Sequence, residues 1–281
     1  MLKKHAMKKL GIILSFILMG FNGFTAEVDT LMVPSKSMKK NIPAVIVLPS
    51  GYQQAKQQFP VVYLLHGAGG SYRNWITRVP HIKALADQYQ MVIVCPDGAV
   101  TSWYFDSPVD SNFRYESFVA QELPAYIDQH YKTIPNRKGR VLTGLSMGGH
   151  GSLFLGFRHA EDFSGAGSMS GALHVTVIRQ GYGVEKILGD TLVNKKYWND
   201  WSVLNAIEQK PADSLAILID CGNEDRVLPM NRAVHEKMLK LNIAHEYTER
   251  PGNHDWKYWE NAIDYQMLFF SKHFKRMLVK N

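Results

Sequence analysis

A serine between glycines offers the first chemistry in this chain: Gly144-Leu145-Ser146-Met147-Gly148, followed by Gly149. The residues ahead of it (VLT) read as the end of a strand and those behind it (GHGSLFLGFRHA) as a helix. G-x-S-x-G in that setting predicts a sharp strand-to-helix turn with the serine at its apex. Such a turn crowds the backbone, and glycines at 144 and 148 relieve the crowding while leaving the hydroxyl exposed. A glycine-rich turn with an incidental serine is the competing reading, and the flanking strand and helix weigh against it.

A neutral serine is a weak nucleophile, so a base must take its proton, and histidine is the usual choice. On a strand–turn–helix scaffold the chain order runs serine, acid, histidine. Of eleven histidines, His254 lies late in the chain, between a strand-like run and a long helical one. His235 and His245 are placed in the preceding helix and strand, on solvated faces. His273 lies deep in the last helix, and His66 reads as structural. Three acids follow the run LAILID: Asp220, Glu224 and Asp225. Spacing favours Asp225 over Asp220, which could instead cap the loop, and Glu224 reads as an exposed loop acid. Two donors are needed for a developing oxyanion. Met147 N–H follows the serine, and Ala68 N–H in His66-Gly67-Ala68-Gly69-Gly70 is the expected second.

Positioning these groups requires strands that end in loops along one edge. Residues 28–33 and 41–48 read as an opening hairpin. The apolar runs 61–65, 91–95 and 141–143 are strands buried on both faces, and further runs follow at 163–169, 215–221 and 244–249. Helical patterns fall at 80–89, 114–130 (with Pro124 as an internal blemish), 227–241 and 257–277. Alternation of this kind predicts an α/β fold, a mostly parallel central sheet with helices on both faces. Residues 172–212 break the rhythm and are expected to form a short insertion over the site.

The chain has 281 residues, 46% hydrophobic and 11% aromatic, enough for a continuous core. Lys3, Lys4, Lys8 and Lys9 supply four charges of the formal +7, leaving +3 for the rest. That remainder gives no case for nucleic acid. The lysines precede an apolar run at 10–21 that is short for a spanning helix, so residues 1–26 read as a secretory signal and residues 27–281 as one domain. Phe24 is bulky for cleavage after Ala26, and an uncleaved amino-terminal anchor is the alternative. The mature form is expected to have no membrane span and to be periplasmic or secreted. Cys95 and Cys221 end separate strand-like runs, are expected unpaired and fit no zinc spacing, so neither metal nor cofactor is expected.

Five motifs follow one another along the chain: YLLHGAGG at 63–70, SWYFDS at 102–107, GLSMGG at 144–149, CGNED at 221–225 and PGNHDW at 251–256. Together they resemble the esterase family related to esterase D. Within it the chain is most similar to tributyrin-esterase-like and carbohydrate esterase family 1 proteins, including acetyl xylan and feruloyl esterases. The resemblance spans residues 28–275. It implies an α/β-hydrolase fold, Ser146 as nucleophile, Asp225 as acid, His254 as base, and Ala68 and Met147 as oxyanion donors. It also implies a carboxylesterase for short acyl or feruloyl esters, with a small or oligosaccharide ester as substrate. S-formylglutathione hydrolase, a relative with the same triad, acts on a cytosolic substrate, which an export signal contradicts. Acyl transfer is a second alternative, and a binding module on an inactive hydrolase is opposed by the complete triad. Trp103, Tyr104, Tyr182, Trp198 and Trp201 are candidates to stack on sugar or feruloyl rings, Trp103 foremost, with ordinary packing as the alternative for each.

Overall fold

The computed structural model describes residues 25–178, 182–208 and 215–279. Most of the expected signal segment therefore lies outside the described residues. Among those described, no helix is long and apolar enough to cross a membrane.

Among the described residues eight strands form one sheet, the central ones from β-branched and aliphatic runs: β1 (Glu27–Ser35), β2 (Lys40–Leu48), β3 (Val61–Leu65), β4 (Val92–Pro96), β5 (Arg140–Gly144), β6 (Gly165–Met169), β7 (Ala216–Gly222) and β8 (Glu246–Arg250). Their order is β1-β2-β4-β3-β5-β6-β7-β8. β1 and β2 form the expected hairpin, and β2 runs antiparallel to β4. From β4 to β8 every pairing is parallel.

Alternate residues of the central strands feed opposite faces, as the two-residue pleat dictates. Tyr63 and Leu65 join one apolar cluster, whereas Val62 and Leu64 join the other. Ten α-helical segments cover these faces: α1 (Asn74–Arg78), α2 (Ile82–Tyr89), α3 (Tyr115–Ser117), α4 (Leu123–His130), α5 (Met147–Arg158), α6 (Val184–Leu188), α7 (Lys195–Asp200), α8 (Val203–Ala206), α9 (Leu228–Lys240) and α10 (Trp256–Val279). Leu153 and Phe154 of α5 and Val234 of α9 enter the first cluster, while Ile82 of α2 and Ile263 and Phe270 of α10 enter the second.

Pro124 leaves a visible mark. Between α3 and α4 the chain takes a π-turn over Phe118–Glu122, and the Leu123 N–H donates back to the Phe118 carbonyl. Proline offers no N–H to the preceding turn, and the widened register just ahead of it absorbs that loss without breaking the helix.

Cys95 and Cys221 are both free and buried. They sit on β4 and β7, four strand spacings apart, about 19 Å at the usual separation and far beyond reach of a bridge. His235 and His245 depart from expectation. His245 precedes β8 rather than belonging to it, and its Nε2 lies 2.7 Å from His235 Nδ1. The His235 ring, in α9 as expected, also stacks on Tyr247 at 4.1 Å, so the half-buried pair joins α9 to the start of β8.

Candidate active site

Four loops carry the candidate residues, and each leaves the carboxyl end of a parallel strand. Ala68 follows β3, Ser146 follows β5, Asp225 follows β7 and His254 follows β8. This edge of an open parallel sheet is where ligands bind in folds of this class.

Ser146 sits at the apex of the β5–α5 turn with φ 53° and ψ −114°, a strained conformation for a residue bearing a side chain. Close approach holds it there. A Cβ on Gly148 would lie 2.5 Å from the Leu65 carbonyl oxygen, and one on Gly144 would lie 2.7 Å from Gly148 backbone atoms. The Ser146 N–H donates to Met169 O at 3.0 Å, tying the turn to β6.

The hydroxyl meets a relay. Ser146 Oγ lies 2.9 Å from His254 Nε2, and His254 Nδ1 lies 2.8 Å from Asp225 Oδ2 and 3.0 Å from Oδ1. A carboxylate only accepts, so Nδ1 carries the proton and the neutral ring offers its Nε2 lone pair to the serine. Asp225 is nearly buried at 4% exposure and also accepts the Val227 N–H at 2.9 Å. Burial pushes its pKa up, but the hydrogen bond and charge of His254 and the Val227 N–H outweigh that, holding the carboxyl below its ordinary range. It stays ionised at neutral pH.

Asp220 is a different kind of acid. It is fully buried on the sheet face packed by α10, where Tyr258 Oη–H and Gln266 Nε2–H donate to its two oxygens and Arg250 lies 3.3 Å away. Burial drives its pKa up to about 6, only partly opposed by Arg250 and these donors. An acid whose pKa rises on folding stabilises the fold below its unfolded value, about 4. That contribution is lost as the pH climbs through 6. Asp220→Asn, which cannot titrate, should therefore gain in Tm relative to wild type between pH 4 and pH 7. Melting curves that shift in parallel over that range would contradict the assignment. Glu224 is exposed, as expected, and takes no part in the relay.

The two oxyanion candidates lie beside Ser146 with their N–H groups unspent. Met147 is the first residue of α5, where an N–H has no acceptor within its own helix. Among the described residues neither its N–H nor that of Ala68 is bonded to another acceptor. The Ala68 loop is pinned by His66, whose Nδ1–H donates to Gly67 O and whose Nε2 accepts the Gly98 N–H, both at 2.8 Å. Burial lowers the His66 pKa, which suits this neutral, structural role.

Two cavities open from Ser146. The larger, about 410 Å³, is walled by Trp103, Val177, Ile178, Val227 and Met230, and the smaller, about 240 Å³, by the glycine loop, Arg78, Trp256 and Trp259. Ala68, Ser146, Tyr182, Arg226 and His254 border both. The insertion does shape the site, since Ala172, Val177, Ile178 and Tyr182 come from it.

Of the five aromatic candidates, only Trp103 and Tyr182 reach the cavities. The Trp103 indole donates to Tyr182 O at 2.8 Å, so it braces the exposed Tyr182 as well as lining the wall. Tyr104 donates to His66 O, Trp198 donates to Gly189 O, and Trp201 packs on Phe105 and Phe154. Those three are packing residues. Arg226, Arg78 and Met230 were not legible as pocket residues, although Arg226 directly follows the acid. Donor atoms of His159, Glu161 and Asp162 lie close enough together for a metal ion, but His159 is bonded to Glu116 and the group sits past the far end of α5.

Fold and site together define an α/β-hydrolase with the relay of a serine hydrolase at the sheet's carboxyl edge. The chain belongs to the family described as "Putative esterase", whose model matches residues 35–270. An acetyl esterase of Caldicellulosiruptor saccharolyticus is 27% identical over 259 residues, covering 85% of this chain and 96% of that protein. The S-formylglutathione hydrolase of Bos taurus is 25% identical, covering 69% and 73%. A solved ferulic acid esterase superposes with a TM-score of 0.75 at 28% identity, covering 89% of this chain and 99% of its own. The protein is a carboxylic ester hydrolase.

Proposed function

We propose that Ser146 attacks short acyl esters of carbohydrates, acetyl foremost and feruloyl next, while His254 accepts its proton and Asp225 orients the imidazole. The carrying observation is the Ser146–His254–Asp225 relay opening onto an apolar cavity of about 410 Å³. The Ala68 and Met147 N–H groups hold the oxyanion of the tetrahedral intermediate. Protonated His254 then gives its proton to the departing alcohol oxygen, leaving an acyl-Ser146. Water attacks that acyl group, passing its proton to the same imidazole, which returns it to Ser146 Oγ as the acyl–Oγ bond breaks and the acid departs.

Trp103, Val177, Ile178 and Met230 suit an acetyl group or the flat ring of a feruloyl group. The acetyl esterase and ferulic acid esterase similarities support the same range. Export is part of this reading, carried by the basic residues and apolar run at the amino terminus. The test is a panel of p-nitrophenyl esters, acetylated xylo-oligosaccharides and methyl ferulate, run on enzyme collected outside the cytoplasmic membrane. Highest kcat/KM is expected for acetyl and other short chains. A preference for chains of about eight carbons or more, each CH₂ adding up to ~0.8 kcal/mol in a deep apolar slot, would overturn the reading.

A further inference from the structure

The two cavities differ in charge. Neither is lined by an Asp or Glu; Arg226, beside the acid loop, borders both, and Arg78 at the end of α1 adds a second guanidinium to the smaller one alone. Both arginines are exposed, and among the described residues neither joins an ion pair. The only ring contact of Arg226 is Tyr182, whose centroid lies 5.9 Å from its Cζ. Trp259 borders the same space and keeps its indole Nε1–H without a hydrogen-bond partner. Arg232, by contrast, forks onto Glu249 with two bonds of 2.7 Å and Arg158 bonds Glu116, while Arg73 and Arg114 also lack an ion pair among the described residues but border neither of these two cavities.

The chemistry tells which part of the substrate meets this charge. Protonated His254 must hand its proton to the departing atom, so the leaving group lies alongside the imidazole. Trp259, which meets the His254 ring edge-on at 5.0 Å, and Trp256 next to it form that side of the smaller cavity. The acyl group is left to the larger, apolar cavity.

We propose that the smaller cavity selects leaving groups bearing an anionic substituent, a carboxylate above all, held between Arg78 and Arg226 with Trp256 under the ring or chain that carries it. This rests on the esterase reading above and narrows it from carbohydrate esters in general to acidic ones, with a carboxylate-bearing thiol as the other source of the same chemistry. Guanidinium groups match carboxylates in a planar, two-point fashion, and in a half-enclosed cleft the attraction is less screened than on open surface.

Paired acetyl esters test this, alike in acyl group and differing in charge. Acetylated glucuronate against acetylated glucose forms the sugar arm. S-acetylglutathione against the neutral S-acetyl-N-acetylcysteamine forms the thiol arm. Wild-type enzyme should favour the anionic member of at least one pair by roughly ten-fold in kcat/KM at low salt, and the arm that shows it identifies the source. The ratio should shrink toward one in 0.5 M NaCl, where screening shortens to a few ångströms. Arg78→Gln and Arg226→Gln should each lower the ratio several-fold, and the double variant should abolish it. Because the readout is a ratio, a general loss of activity cancels. No charge preference in either arm, or a preference that survives in the double variant, overturns the proposal while phenyl acetate is still turned over. Loss of phenyl acetate turnover by wild type would instead remove the esterase reading and this inference with it.

Discussion

Ser146→Ala lowers kcat for p-nitrophenyl acetate by about 10⁶-fold, the scale seen when a serine hydrolase loses its nucleophile. The expectation rests on how few things Ser146 Oγ does: its one hydrogen bond runs to His254 Nε2 at 2.9 Å. Alanine keeps the Cβ and inherits the same φ of 53°, so the backbone strain at the turn is unchanged. Circular dichroism and Tm should therefore match wild type closely. A fluorophosphonate probe should label wild type on Ser146 and leave the variant unlabelled. Residual catalysis above water would come from the Ala68 and Met147 donors and from binding. Turnover within ten-fold of wild type, or labelling of another serine, would remove Ser146 from the nucleophile's role.

Asp225→Asn lowers kcat by about 10⁴-fold at neutral pH with little change in fold. The local hydrogen bonds explain why an isosteric change costs so much. Asp225 Oδ1 accepts the Val227 N–H at 2.9 Å, and an asparagine would keep its carbonyl oxygen there. Its amide nitrogen then faces His254 Nδ1 as a donor. The imidazole must accept at Nδ1, so its proton moves to Nε2, and the ring can no longer take a proton from Ser146. Nitrogen NMR of His254 should report this tautomer change directly. Asp220→Asn provides the contrast, since Tyr258 and Gln266 hold Asp220 away from the imidazole. If Asp220→Asn proves the more damaging change to kcat, the acid has been assigned to the wrong residue.

The serine turn was legible because its need for small residues shows within five consecutive positions. Gly144 and Gly148 are needed for contacts with each other and with the β3 carbonyl oxygens, and that need shows as a local pattern. The strands were legible for a related reason. Runs such as Val61–Leu65 are buried throughout, so every residue is apolar and the boundaries shift by only a residue or two. Helix 114–130 was placed correctly as a span, but the π-turn beside Pro124 was not foreseen, since a proline can also break or kink a helix.

Asp220 and Asp225 both lie near the end of the same strand, and sequence spacing separates them only weakly. Partners from distant segments separate them: Arg250, Tyr258 and Gln266 claim Asp220, while His254 claims Asp225. The aromatic residues behaved alike. Trp103 and Trp201 look equivalent in sequence, yet one lines the cavity and the other packs on Phe105. Arg78 ends α1 and Arg226 lies in the loop after β7, far apart in the chain, and they border one cavity only because the segments after β3 and β7 leave the same edge of the sheet. The sequence by itself determined the strands and the place of the serine turn, since backbone sterics and apolar periodicity act over neighbouring residues, and chain order pointed to His254 as the candidate base. The tertiary structure alone decided which acid meets that base and what charge and shape surround the ester, because those depend on which loops the parallel strands deliver to a common edge.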